Sequence, residues 1–202
     1  MLAPARSGAE NMARDTALMG RARETGECVF SVYSWATPTL SLGRNQAAKG
    51  RYDLDEIRRR GIDVVRRPTG GRALLHYHEV TYSVTAPLGD DEALRDSYAR
   101  INRILLNGLI RVGVNANEAA TAGRAPRPGD LPCFAAPAEG ELVSGGAKLV
   151  GSAQVRENGA LLQHGSILIE DDQRIIGELL QSNPPETDTP PAATLCEGSA
   201  TI

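Results

Sequence analysis

The 202-residue sequence predicts an α/β (α+β) domain in which antiparallel strands and amphipathic helices share one core. Three observations carry that prediction. Leu94, Tyr98, Ile101, Leu105, Leu109 and Val112 recur at helical spacing and form one apolar stripe. Val80, Tyr82 and Val84 alternate with Thr81, Ser83 and Thr85, the two-residue period of a half-buried strand. Asn158-Gly159 supplies two residues that readily take positive φ, so 151–156 and 160–169 are expected to pair as a hairpin.

The remaining elements follow in order. Residues 11–25 read as an amphipathic helix with Met12, Thr16 and Met19 on one side, closed by Gly26. Residues 29–35 alternate as a strand that Thr37-Pro38-Thr39 interrupts. Asp53 is placed to cap a short helix running to Arg60 and ended by Gly61. Residues 62–67 form a strand that feeds a glycine-containing loop, and the next strand leaves that loop. The loop therefore lies between strands, where a sheet-edge cradle belongs, and not at the strand-to-helix turn of a dinucleotide fold. Residues 119–132 are rich in Gly, Pro and Ala and are expected to form a mobile loop. Ser144-Gly145-Gly146-Ala147 is a tight turn between two short apolar segments, and a short helix is expected near 175–180. A Pro- and Thr-rich stretch follows, which divides the chain into a domain over 1–181 and a tail over 182–202.

Composition narrows the function classes. The length suits one domain with a sizeable core. A net charge of -3 argues against general nucleic-acid binding, which favours a basic domain. No apolar run is long enough to span a bilayer, and the N-terminus lacks a charged-then-apolar leader pattern, so no membrane association and a cytoplasmic location are expected. Cys28, Cys133 and Cys196 are too dispersed for a disulfide framework or a zinc site. The cations are bunched at Arg58, Arg59, Arg60, Arg66, Arg67 and Arg72, and again at Arg95, Arg100 and Arg103. The first cluster is either a solvated helix face or a docking patch for an acidic partner.

The chemistry concentrates in two segments. Arg66-Arg67-Pro68-Thr69-Gly70-Gly71-Arg72-Ala73-Leu74-Leu75-His76 brings cations to a glycine pair whose backbone a ligand can approach closely. Arginines suit a carboxylate, a phosphate or an anionic thioester carrier. Lys148-Leu149-Val150-Gly151-Ser152-Ala153-Gln154 is followed by Leu162-Gln163-His164-Gly165-Ser166-Ile167-Leu168. In order and spacing, these segments resemble the lipoate-protein ligase and octanoyltransferase family, whose catalytic domain is shared with biotin ligases. Asn11-Met12-Ala13-Arg14-Asp15 resembles the family's first helix, and Tyr33-Ser34-Trp35 through Thr39-Leu40-Ser41-Leu42-Gly43-Arg44 resembles its first hairpin. The similarity runs from about Asn11 to Glu170. It implies a mixed, largely antiparallel β-sheet with helices packed on one side. Relatives generally continue with more helix, so the tail resembles a shortened C-terminal segment.

The resemblance is strongest to the cysteine-dependent branch that transfers octanoyl from an acyl carrier protein to protein. Cys133-Phe134-Ala135-Ala136-Pro137 matches the segment that carries that branch's nucleophile, and Lys148 matches the lysine that holds the acyl carbonyl and favours the thiolate. An isolated cysteine is otherwise most simply a buried structural one. The substrate cradle implied by the resemblance comprises Arg67, Gly70, Gly71, Arg72, Ala73, His76, Gly151, Ser152, Ala153, His164 and Gly165. His76 either orients the glycine loop or receives a proton from the incoming amine. Gly151, Ser152 and Ala153 form the wall of an acyl tunnel, or Gly151 serves close strand packing; Leu74, Leu75, Val150 and Leu162 are tunnel or core. His78 and His164 have no metal spacing with His76, so no metal is expected.

The implied donor is an octanoyl-acyl carrier protein and the implied acceptor a lipoyl-domain protein such as the glycine cleavage H protein, with no cofactor. The main alternative is an ATP-dependent lipoate-protein ligase working through a lipoyl-adenylate, which would need ATP and Mg. Arg72 stands where ligases usually have a third glycine, and Tyr77 where they often carry Asp, and both departures favour the transferase. An amidotransferase between lipoyl domains and a degenerate, non-catalytic module that binds lipoyl domains are further alternatives. A biotin ligase is disfavoured, because that group's glycine-and-arginine adenylate loop is missing.

Overall fold

The computed structural model describes residues 1–89, 93–119, 134, 140–181 and 194. The expected mobile loop, Cys133 and nearly all of the tail lie outside the described residues. Helix α1 (Gly8–Thr25) starts earlier than its apolar periodicity suggests, because Ser7 and Glu10 form a capping box. Gly26 closes it at φ 74°. Its buried stripe is Asn11, Met12, Asp15 and Ala22, two of them polar. Thr16, expected on that stripe, is exposed instead, and its hydroxyl donates to the Met12 carbonyl.

The strands are β1 (Val29–Tyr33), β2 (Thr39–Leu42), β3 (Asp63–Arg66), β4 (Leu74–His76), β5 (Glu79–Pro87), β6 (Asn117–Glu118), β7 (Leu142–Ser144), β8 (Ala147–Lys148), β9 (Val150–Glu157) and β10 (Ala160–Leu168). Three further helices are α2 (Leu54–Arg59), α3 (Leu94–Arg111) and α4 (Ile175–Glu178). The main sheet is antiparallel, in the order β1-β5-β10-β9. A second sheet, β3-β2-β4, is mixed: β2 runs parallel to β3 and antiparallel to β4. The third is the short antiparallel set β6-β7-β8. The segment that resembled a first hairpin is therefore split. After the Thr37-Pro38 break β2 leaves β1 and pairs in the second sheet, where all four of its residues are buried.

The expected hairpin joins β9 to β10, with Asn158 at φ 51° and Gly159 at φ 78°. Strand β5, expected to be half-buried, is covered on both faces. Tyr82 and Ala86 pack with Ile101, Leu105 and Leu109 of α3. Thr81, Ser83 and Thr85 on the other face are buried as well, beneath α1. Rather than sharing one side of the sheet, as the resemblance implied, the two long helices thus take opposite faces. The reason is that the hydroxyl-bearing face also needs cover, and α1 offers it a stripe containing Asn11 and Asp15. Adjacent residues of β10 show the division: Gln163 donates to Asn102 of α3, while His164 pairs with Asp15 of α1.

The second sheet packs Leu40, Leu42 and Leu75 against Ile57 of α2 and against Ile176 and Leu179 at α4. Asp53 caps α2 as expected, accepting from the backbone N–H groups of Asp55 and Glu56. Arg58 pairs with Asp55, Arg59 with Glu56, and Arg60 with both Glu56 and Glu178. That arginine run is a solvated face whose charges are matched locally.

Candidate active site

Between the two larger sheets, the glycine loop meets β9, β10 and the first turns of α1. A pocket, part of it open to solvent, lies there. Met12, Tyr33, Trp35 and Leu74 give it apolar walls. Of the residues expected in a cradle, Arg67, Gly71, His76, Gly151, Ser152, Ala153, His164 and Gly165 line it. Gly70, Arg72 and Ala73 do not. Ala73 belongs to the second sheet's core, and Leu75 and Val150 are likewise core residues. Leu162 is fully buried.

Arg67 explains how the loop keeps its shape. Its buried guanidinium donates to the carbonyls of Ser41, Gly70 and Arg72 and to the Ser41 hydroxyl. These partners turn the loop's carbonyls inward around one cation. Gly71, at φ 93°, sits so close that a Cβ there would lie 2.9 Å from Arg67 Nη2. Arg66 braces the loop from outside by donating to the carbonyls of Gly43, Arg44 and Gln46.

Two imidazoles face the pocket, each tied to a buried carboxylate. His164 Nδ1 lies 2.9 Å from Asp15 Oδ2, which also accepts from the Tyr33 hydroxyl at 2.9 Å. His164 Nε2 lies 2.7 Å from Thr69 Oγ1 of the glycine loop. His76 Nδ1 lies 2.7 Å from Glu79 Oε1, and its Nε2 lies 2.8 Å from Ser41 Oγ. Glu79 Oε1 also accepts from Trp35 Nε1, Thr81 Oγ1 and Ser166 Oγ. The Trp35 ring stacks on His76 with centroids 3.9 Å apart. A neutral ring protonated at Nδ1 satisfies both patterns, donating to the carboxylate and accepting from the hydroxyl. Burial together with the Asp15 charge and hydrogen bond pushes the Tyr33 phenol well above its ordinary range.

Lys148 lies outside the pocket lining, at the end of the β7–β8 hairpin that the Gly145-Gly146 turn creates. Its ammonium is buried, 2.7 Å from Glu141 Oε1 and 5.3 Å from the centroid of the Phe134 ring. Phe134 itself is buried against Leu74, which lines the pocket, and Leu168. Phe134 therefore bridges Lys148 to the pocket wall, and Cys133 is its neighbour in sequence. His78, expected to have no metal spacing with His76, instead approaches Glu170 and Asp172 in an exposed cluster away from the pocket lining.

Sequence reasoning missed several of these partners: Asp15, Ser41, Thr69, Glu79 and Glu141. Asp15 carried a signal, since a carboxylate falls between Met12 and Met19 on the stripe that α1 buries. Glu79 and Glu141 carried none beyond their types, because their roles depend on what the sheets bring to them.

A family model described as "Lipoyl protein ligase A/B catalytic domain" matches residues 7–200, and the chain belongs to that family. It is 44% identical over 170 residues to Octanoyltransferase LipM of Carboxydothermus hydrogenoformans, covering 82% of this chain and 62% of that one. To Octanoyltransferase LipM of Kyrpidia tusciae it is 41% identical over 184 residues, covering 87% and 67%. The chain thus spans about two thirds or less of these relatives' lengths. The fold is similar to that of protein Ta0514 of T. acidophilum with bound lipoic acid, at a TM-score of 0.78 and 21% identity over all of this chain and 76% of that one. Among the described residues no helix is long and apolar enough to cross a membrane.

Proposed function

We propose that the protein transfers an octanoyl group from an acyl carrier protein to the ε-amine of a lysine on a lipoyl-domain protein, of which the glycine cleavage H protein is one candidate. The observation that carries this reading is the 44% identity to an octanoyltransferase across 82% of the chain, a stretch that includes the glycine loop and both later motifs. The geometry is compatible: an apolar pocket walled by Gly151, Ser152 and Ala153 suits an unbranched acyl chain.

In this mechanism Cys133 gives up its thiol proton, and its thiolate attacks the thioester carbonyl. A new C–S bond forms as the donor's C–S bond breaks, and the carrier leaves as a thiolate that takes up that proton. The Lys148 ammonium favours the thiolate and donates to the carbonyl oxygen as charge develops there. The acceptor amine then attacks the Cys133 thioester, the C–S bond breaks, an amide forms, and the thiol is regenerated. The donor is already activated, so the sequence of steps requires no ATP and no metal.

The test is incubation with octanoyl-acyl carrier protein in the absence of ATP, followed by intact mass and peptide mapping. The expected result is an octanoyl increment on the Cys133 peptide that hydroxylamine removes, together with loss of transfer in Cys133→Ser. An adduct that forms only from free octanoate or lipoate with ATP would replace this reading with an adenylate-forming ligase. Binding of octanoylated protein with no covalent adduct would replace it with a non-catalytic module.

A further inference from the structure

Where the turn between β4 and β5 meets the end of β10, three side chains converge that the pocket does not use. His78 Nδ1 lies 3.0 Å from Asp172 Oδ2 and 3.4 Å from Glu170 Oε2. Each of the three residues offers one ligand atom within 4.8 Å of the other two. We propose that His78, Glu170 and Asp172 form a binding site for a divalent ion of the zinc class, which clamps the β4–β5 turn to the end of β10. The site stands apart from the acyl-transfer reading and does not depend on it.

The donor set selects the ion. An imidazole nitrogen with two carboxylate oxygens suits zinc and its transition-metal neighbours, whereas magnesium and calcium favour oxygen ligands alone. The spacing agrees. With metal–ligand bonds of roughly 2.1 Å, neighbouring ligand atoms stand about 3.0 Å apart at a right angle and about 3.4 Å apart at the tetrahedral angle. The two contacts of His78 Nδ1 fall at those separations. Glu170 is exposed, so its carboxylate can approach Asp172 further by turning about its own side-chain bonds. Charge agrees as well. Among the described residues neither Glu170 nor Asp172 forms an ion pair with a lysine or arginine, and both face His78. Two carboxylates around one imidazole leave an excess of negative charge, which a divalent cation balances.

The backbone positions these ligands in advance. The His78 carbonyl accepts from the N–H groups of Ile169 and Glu170, at 3.0 and 3.2 Å. The His78 N–H donates to Asp172 Oδ2 at 3.0 Å, the kind of outer hydrogen bond that orients a ligating carboxylate. Beside Asp172, the buried Gln173 side chain accepts from the Leu75 N–H and donates to the Leu75 carbonyl. That double contact pins the short helical turn Asp172–Arg174 to β4. Ligands held this way lose little freedom when an ion binds. Three protein ligands leave room for water to complete the shell. The clamp acts next to the pocket without entering it, because His76 and Glu79 stand on either side of the turn that carries His78.

The test is calorimetric titration of the chelator-treated protein with ZnCl2, with thermal melts in parallel. Wild type is expected to bind Zn2+ at this site, and its Tm to rise by roughly 5–10 °C when free Zn2+ is about 100-fold above Kd. His78→Ala and Asp172→Asn should each weaken that binding by at least about 10-fold and abolish the rise. Cys28→Ser removes an exposed thiol that could capture zinc, and it should bind as wild type does. MgCl2 in excess should leave Zn2+ binding intact. If His78→Ala fails to fold, Glu170→Gln takes its place, since that exposed side chain has no part in the core; weaker Zn2+ binding supports the site, and unchanged affinity overturns it. Absence of Zn2+ binding by folded wild type overturns the proposal and leaves the cluster an ion pair. Binding that persists in His78→Ala but disappears in Cys28→Ser also overturns it. Displacement of Zn2+ by Mg2+ overturns the assignment to the zinc class.

Discussion

Both imidazoles of the pocket are held at both nitrogens, His76 between Glu79 and Ser41 and His164 between Asp15 and Thr69. For His76 to take a proton from an incoming amine, it would first have to release the Ser41 hydroxyl, which Arg67 also holds. The geometry thus favours the role of orienting the loop, since the Ser41 hydroxyl is shared by the imidazole and the loop's central cation. Gly43 supports the same loop from the other side. A Cβ on Gly43 would lie 2.1 Å from the Gly71 carbonyl oxygen, and neither backbone can yield without moving the cradle. Gly43→Ala is accordingly expected to lower kcat/KM by roughly 10- to 100-fold, the scale associated with misplacement of about 1 Å. Steady-state kinetics on a variant with unchanged circular dichroism would check this, and wild-type kinetics would refute it.

At the scale of elements, what sequence made legible is what neighbouring residues decide. The Asn158-Gly159 hairpin and the Asp53 cap each depend on a few adjacent side chains and form as expected. Of the expected α3 stripe Ile101, Leu105 and Leu109 are buried, whereas Leu94 and Val112 at its ends are exposed. The Ser7–Glu10 capping box was equally local, and would have placed the start of α1 correctly. Strand partnership was not local. Nothing in Thr39-Leu40-Ser41-Leu42 says that it pairs with 63–66 and 74–76 and not with the strand before it. The pocket divides the same way. Its glycine loop and its two histidines announce themselves as motifs, whereas Asp15 meets His164 across a separation of 149 residues. The locality of the Asp53 cap yields a prediction. Asp53→Ala should cost about 1 kcal/mol, the usual value of an N-cap, as a lower urea midpoint. Acyl transfer should be unchanged, because α2 packs in the second sheet's core and contributes nothing to the pocket lining.

For the whole molecule, three tyrosines report on three separate parts of the interior: Tyr33 with Met12 and Trp35, Tyr52 in the second sheet's core, and Tyr82 in the core beneath α3. Each phenol is pushed above its ordinary range, with burial the leading cause in every case. In the unfolded chain a tyrosine ionises near pH 10, or about that value. Above that pH the unfolded state gives up these protons while the folded state retains them, so the folded state binds more protons and the free energy of unfolding falls as pH rises. The stabilisation is therefore present in full below about pH 10 and is lost as pH climbs through the folded-state values. Urea midpoints should show little tyrosine-linked change from neutrality to about pH 10 and then decline steeply. Tyr82→Phe gives up the contacts of its hydroxyl with Ser152 and Gln163 and should be less stable at neutral pH, yet its alkaline decline should be shallower than that of wild type. A decline of equal slope in the two proteins would mean that the core beneath α3 admits the phenolate, and that the packing of α3 on the main sheet is looser than its buried contacts imply.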